Sequence, residues 1–159
     1  MKFMKSKRTI LAVLCILILI KGSVYTQSAD KAQKGTVYVP AYSSIYHSNL
    51  KWEFNLTVTL SIHNIDMKNN IILDSIDYYN TSGKIIQSFI NDKKISLQPL
   101  ETYNLGIKES DVRGGIGANF IIRWHSRTMV NNPIIETIMI STSGQQGISY
   151  TSRGVIIAE

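Results

Sequence analysis

The sequence has a single cysteine, Cys15, and it lies inside an apolar run near the N-terminus. Downstream of that run there is no thiol, which excludes disulfide scaffolds, cysteine zinc ligands and cysteine nucleophiles from the rest of the chain. Cys15 is also not a lipid-attachment residue, because Leu14 and Ile16 flank it where a small residue and the start of the mature protein are needed. It reads as an apolar filler. A basic surplus is missing as well once the N-terminus is set aside. The chain carries +6 overall, but residues 1–28 hold five basic residues and no acidic one, so the remainder is within one charge of neutral. Nothing there calls for a nucleic-acid partner. Sustained helical periodicity with caps is absent, and so are internal repeats and low-complexity segments.

What is present begins with the N-terminus. A basic stretch from Lys2 to Arg8 precedes the apolar run Thr9–Ile20 and then small polar residues, the order of a secretory signal. The run makes a helix of roughly 18 Å, short of the roughly 30 Å of a hydrocarbon core. A cut before Ala29 is therefore expected, and the alternative is an uncleaved signal anchor. Either way the basic end stays inside and the domain outside. The expected division is signal or anchor at 1–28, a polar spacer at 29–36 and a β domain at 37–159.

Within that domain Phe54, Leu56, Val58, Leu60 and Ile62 alternate with Asn55, Thr57, Thr59, Ser61 and His63, the pattern of a strand with one buried face. Ile71–Tyr79 and Ile85–Ile90 flank Asn80-Thr81-Ser82-Gly83, a hairpin signal in which Gly83 is free to take positive φ. Further β-rich runs lie at Tyr103–Ile107, Phe120–Trp124, Ile134–Ile140 and Ile148–Ile157. About eight strands with frequent turn chemistry predict an all-β fold, an immunoglobulin-like β-sandwich with Trp124 in its core, the alternative being a small barrel.

Chemistry is sparse. Arg113-Gly114-Gly115-Ile116-Gly117-Ala118-Asn119 superficially matches a phosphate loop, but the chain continues into a strand where such a loop opens a helix. It reads as a sharp turn. His47, His63 and His125 lack metal-ligand spacing, and alternation puts His63 and His125 on outer strand faces. A Ser nucleophile with His125 and Asp111 has no elbow motif behind it. No catalytic residue, metal ligand or cofactor is assigned. The candidate contact surface is instead loop residues Asp111, Arg113, Gly114, Gly115, Asn119, Gln145 and Gln146, because loops on rigid sandwiches carry function. Tyr42 and Tyr46, in an aromatic stretch with Tyr38 and Trp52 around Pro40, form a candidate recognition surface, with packing at the core edge as the alternative.

Several segments are familiar as a set: Val37–His47, Leu56–Asn64, Ile76–Lys84, Glu109–Asp111, Gly117–Phe120 and Gln145–Gly154. They resemble an uncharacterised bacterial family of extracytoplasmic domains, domain of unknown function thirty-one twenty-four, over nearly the whole mature chain. The resemblance implies a single β domain in the bacterial envelope, in the periplasm or at the cell surface, and it implies no catalytic residues. Some relatives resemble lipoproteins, from which this sequence departs in lacking the cysteine. The expected function is an exported, non-enzymatic binding or interaction module whose partner is an envelope protein or a small ligand. Membrane contact would come only through the N-terminal segment if it is uncut. The alternatives are a metal-binding or hydrolytic periplasmic protein and a structural envelope component.

Overall fold

The computed structural model describes residues 30–91, 93–142 and 147–158. The N-terminal segment with Cys15, and the loop residues Gln145 and Gln146, lie outside the described residues. Twelve strands follow in order: β1 (Lys31–Pro40), β2 (Ser44–His47), β3 (Trp52–Asn55), β4 (Thr57–His63), β5 (Ile71–Tyr79), β6 (Ile85–Ser88), β7 (Ile95–Leu97), β8 (Thr102–Ile107), β9 (Asn119–Asn131), β10 (Ile134–Ser141), β11 (Ile148–Arg153) and β12 (Val155–Ala158). One sheet runs β12-β1-β9-β5-β6, with β7 also on β5, and the other runs β11-β10-β4-β8. Neither path closes on itself, so the molecule is a β-sandwich and not a barrel.

Alternation explains how the two sheets meet. Val37 and Val39 of β1, Phe120, Ile122 and Trp124 of β9, and Leu73, Ile76 and Tyr78 of β5 are buried on the inner face of the first sheet. Val58, Leu60 and Ile62 of β4 answer them from the second sheet, in register with Met139, Thr137 and Ile135 of β10. The one hydroxyl in that row, on Thr137, is fully buried and donates to the Pro40 carbonyl at 2.6 Å. This bond ties the sheets together where an apolar residue would leave the carbonyl unpaired.

The strand count exceeds eight because two apolar runs each divide and two short strands, β2 and β7, fall outside the runs read from the sequence. Phe54 belongs to the small β2–β3 hairpin, and the chain passes Leu56 before β4 begins. The run Ile148–Ile157 divides at Gly154, where the chain leaves β10 and crosses to β1 in the other sheet. A Cβ at Gly154 would lie 2.6 Å from Val37 Cγ1 and 3.0 Å from the Ile135 carbonyl oxygen. The spacer reading of residues 29–36 also changes: β1 starts at Lys31, with Lys31 opposite Asn131 and Ala32 buried. Lys31, Gln33 and Lys34 are polar because they are exposed.

The antiparallel register gives the sandwich two ends. The base holds Lys31, the Asn64–Asn70 loop and the β9–β10 turn; the tip holds Pro40 opposite Asn119, the β5–β6 turn, and the ends of β8 and β10. Buried polar bonds close the base. The Asn64 side-chain amide donates to the carbonyls of Asn69, Leu97 and Gln98, and Asp66 accepts the backbone N–H groups of Lys68, Asn69 and Asn131. These donors, led by the Lys68 N–H, hold the Asp66 carboxyl below its ordinary range against an opposing push from burial.

Two outcomes test this frame. Gly154→Ala should destabilise the protein by about 1–3 kcal/mol, the usual cost of forcing extra volume into a packed site, measured by denaturant unfolding. Asp66→Asn should cost about 1–2 kcal/mol at neutral pH, since bonds to a charged acceptor are lost. The folded carboxyl is depressed, so its contribution is complete above the ordinary value of 3.8 and is lost as pH falls through the folded value. Unfolding free energies taken between pH 7 and 2 should therefore converge for the two proteins at the acid end.

Candidate functional site

The tip collects the loop and aromatic residues that the sequence marks out. Between β8 and β9 the chain makes one 3-10 turn, Val112–Gly114. Asp111 caps it, accepting from the Arg113 backbone N–H at 3.3 Å and from the Arg113 guanidinium at 2.8 Å (Nε) and 2.7 Å (Nη2). The guanidinium bond holds the Asp111 carboxyl below the usual carboxylate range, with burial opposing it. Arg113 Nη2 also reaches Gln87 Oε1 on β6 at 3.3 Å.

The rest of the loop is fastened from two sides. The Thr81 hydroxyl donates to the Gly114 carbonyl at 3.0 Å and accepts from the Gly117 N–H at 2.9 Å. Ser43 bonds the Gly115 carbonyl through both its backbone N–H and its hydroxyl, each at 3.1 Å. Two glycines are required here. Gly115 takes φ 71°, in the left-handed region, and a Cβ on Gly114 would collide with the Tyr78 hydroxyl and with Ala118 Cβ. The Tyr78 hydroxyl meets hydrogen-bond geometry with no group among the described residues. Burial pushes its pKa up.

Beside this loop a groove of about 460 Å³ opens between β6 and β8, the free edges of the two sheets, with Phe89, Ile107, Lys108, Asp111 and Arg113 in its lining. On the other flank stands the β2–β3 hairpin. Its turn places Ser48, Asn49 and Leu50 in succession in the left-handed region, φ 52°, 59° and 63°. Such conformations cost on the order of 1–2 kcal/mol each in non-glycine residues and recur at binding loops. The turn presents Leu50, 74% exposed, with Trp52 at 64% and Tyr46 at 48%. His47 stacks on Phe54 with ring centroids 3.9 Å apart, and the Ser44 hydroxyl donates to Glu53 at 2.6 Å.

The two candidate tyrosines separate in role. Tyr46 stands out on the hairpin, while Tyr42 is half-buried and packs on Tyr150 of β11 at 6.1 Å. Burial pushes the Tyr150 hydroxyl up to about 12. Asn119 opens β9 at the tip, opposite Pro40 and Tyr79. Thr142 and Gly147, which bracket Gln145 and Gln146, leave β10 and enter β11 at the same end. Sequence alone does not single out Leu50 as a contact residue; its exposure follows from the turn geometry.

The histidines do not gather. His63 Nδ1 shares a hydrogen bond with the Thr102 hydroxyl at 2.9 Å, and Glu136 lies 3.8 Å from its Nε2. His125 Nδ1 pairs with Asp74 Oδ2 at 2.7 Å, on the outer face of β9. The carboxylate that serves His125 is thus Asp74 and not Asp111, which is bound to Arg113. Among the described residues no three His, Cys, Asp or Glu side chains come together to hold a metal ion.

Comparison with known proteins adds family without activity. No curated protein matches the chain. The crystal structure of Thermotoga maritima 1070 is similar with a TM-score of 0.44 and 12% identity, over 76% of this chain and 92% of that one. A family model does match, over residues 34–157, and its span covers both sheets and the tip. The chain belongs to the family described as "Protein of unknown function (DUF3124)".

Proposed function

We propose that this chain is an exported, non-enzymatic binding module of the bacterial cell envelope, and that it contacts a partner protein with the tip of its sandwich. The carrying observation is convergence. The Asp111–Asn119 loop, the β2–β3 hairpin, the end of β10 and the start of β11 all lie at the end away from Lys31, where the described chain enters the fold. Nine residue steps along β1 separate the two ends, roughly 30 Å at strand rise. If the N-terminal segment anchors the domain, the tip is the end held furthest from the membrane.

The surface there has the make-up of a recognition site. Trp52 and Tyr46 offer large, stiff side chains with polar edges, the residue types that dominate binding energy at interfaces. The loop beside them is fixed by hydrogen bonds from Ser43 and Thr81, so little conformational freedom is lost on contact. The histidines are engaged separately and away from the tip's loop: His63 with Thr102 and Glu136, His125 with Asp74, and His47 stacked on Phe54.

Photo-crosslinking in cells tests the proposal. A crosslinking residue at Tyr46, Trp52 or Arg113 should capture a partner, while one at Met67, which is 76% exposed at the base, should not. Trp52→Ala with Tyr46→Ala should weaken capture about tenfold or more, each buried aromatic anchor being worth at least about 1 kcal/mol, with the melting temperature unchanged. Equal capture from both ends, or full retention by the folded double variant, would overturn the assignment.

A further inference from the structure

The two sheets are unequal in width. Along its main path the first runs five strands, β12-β1-β9-β5-β6, and the second runs four, β11-β10-β4-β8. On one side they are matched, because β11 and β12 are joined through Gly154 and the Thr137 hydroxyl of β10 bonds the Pro40 carbonyl of β1. Counted from that side, the second sheet ends at β8, one strand before the first ends at β6. The groove of about 460 Å³ beside the tip loop lies at this step, with Gln87 and Phe89 on one wall and Gly106 and Ile107 on the other. Towards the base the step is closed, since the chain crosses there from β7 on the first sheet into β8.

The margin of β8 has the form of a pairing edge. The Asn64 N–H donates to the Glu101 carbonyl at 2.9 Å, in the register that sets Ile62 opposite Tyr103 and Leu60 opposite Leu105. Antiparallel bonding alternates, so Tyr103, Leu105 and Ile107 bond β4, while the N–H and C=O groups of Thr102, Asn104 and Gly106 point away from it. No strand among the described residues takes them. Sheet edges are guarded by charge, proline, bulges or shortness. β6 and β12 are four residues long and pair across register shifts, and β11 ends in Arg153. β8 has six residues with no charge, no proline and no shift in register.

Gly106 is an independent sign. Its φ is not positive, and a Cβ there would meet nothing within 4 Å, so the fold makes no demand for glycine at this position. Glycine inside a strand weakens it, and it marks places where another backbone comes close. Behind this edge the core is only partly covered. Leu105 and Phe89 pack on the core yet are half-buried, and Val112 in the groove lining is 51% exposed.

We propose that an extended segment of the partner protein adds to β8 as a fifth strand of the second sheet. Its main chain exchanges hydrogen bonds with Asn104 and Gly106, and every second side chain, apolar, enters the groove against Phe89 and Ile107. Outward N–H and C=O groups repeating every two residues select another extended backbone over a compact ligand. The inference rests on the tip reading and deepens it, since it states which element the partner brings.

Two substitutions at one position separate main-chain pairing from the other contacts of the tip. In the full chain with a photo-crosslinking residue in place of Tyr46, Gly106→Pro removes the outward N–H at the kind of edge position where proline is tolerated. It should reduce capture in cells about tenfold or more, as loss of main-chain bonds implies. Gly106→Ala keeps that N–H and should leave capture unchanged. Hydrogen exchange on the purified wild-type crosslinked complex supplies a readout without a variant, and it decides alone if Gly106→Pro lowers the melting temperature. The Asn104 and Gly106 amides should exchange more slowly than in the free chain, and the Met67 amide at the base should not change. Undiminished capture by Gly106→Pro, equal loss in both variants, or unchanged exchange at both amides would overturn strand addition and leave the tip reading in place. No capture from Tyr46 in the wild type would overturn both. Mass spectrometry of the captured species separates a partner protein from a second copy of this chain or its own N-terminal segment, either of which would overturn the partner assignment.

Discussion

The pairing of β9 between β1 and β5 is the constraint on which the other features rest. β9 is the longest strand, and its inner residues Phe120, Ile122 and Trp124 are each at most 1% exposed. Both neighbours hydrogen-bond to it, so its position fixes the inner face of the first sheet, which the β4 and β10 residues then cover. The two ends of this same ladder define the tip and the base. Its outer face, by the two-residue period of a strand, must present Arg123 and His125 wherever Ile122 and Trp124 are buried. Core, tip and outer face are therefore consequences of one register.

How much of this could be read from the sequence depends on whether a feature obeys that period. The run from Leu56 to Ile62 is legible because buried apolar residues alternate with polar ones, and the strand Ile71–Tyr79 because it is dense in β-branched and aromatic residues. Trp124 is legible as core for the same reason. The early start of β1 is not, since Lys31, Gln33 and Lys34 look like a linker until the partner strand is known. The divisions at Leu56 and Gly154 are hidden because the alternation through Leu56 and the β-rich composition around Gly154 run on while the strand changes partners. At the candidate sites the Asp111–Asn119 turn follows from its glycines. The pairing of Asp74 with His125 and Lys94 does not, because it requires a bulge and a contact across 51 residues.

At the tip, apolar aromatic area is presented on a strained turn beside a loop fastened by neutral hydrogen bonds, an arrangement suited to a partner that brings its own apolar surface.

The crossing of the last strand at Gly154 has a further consequence for how the molecule comes to be folded. Residues 148–158 supply the terminal strand of both sheets, β11 beside β10 and β12 beside β1. Until that segment arrives, each sheet has an open ladder of unpaired N–H and C=O groups; β11 covers one as the neighbour of β10 in sequence, whereas the contacts of β12 with β1 join distant parts of the chain. Closure is thus a late event that couples the two sheets. For a chain proposed to be exported, this ties locking of the first sheet to the emergence of residues 155–158.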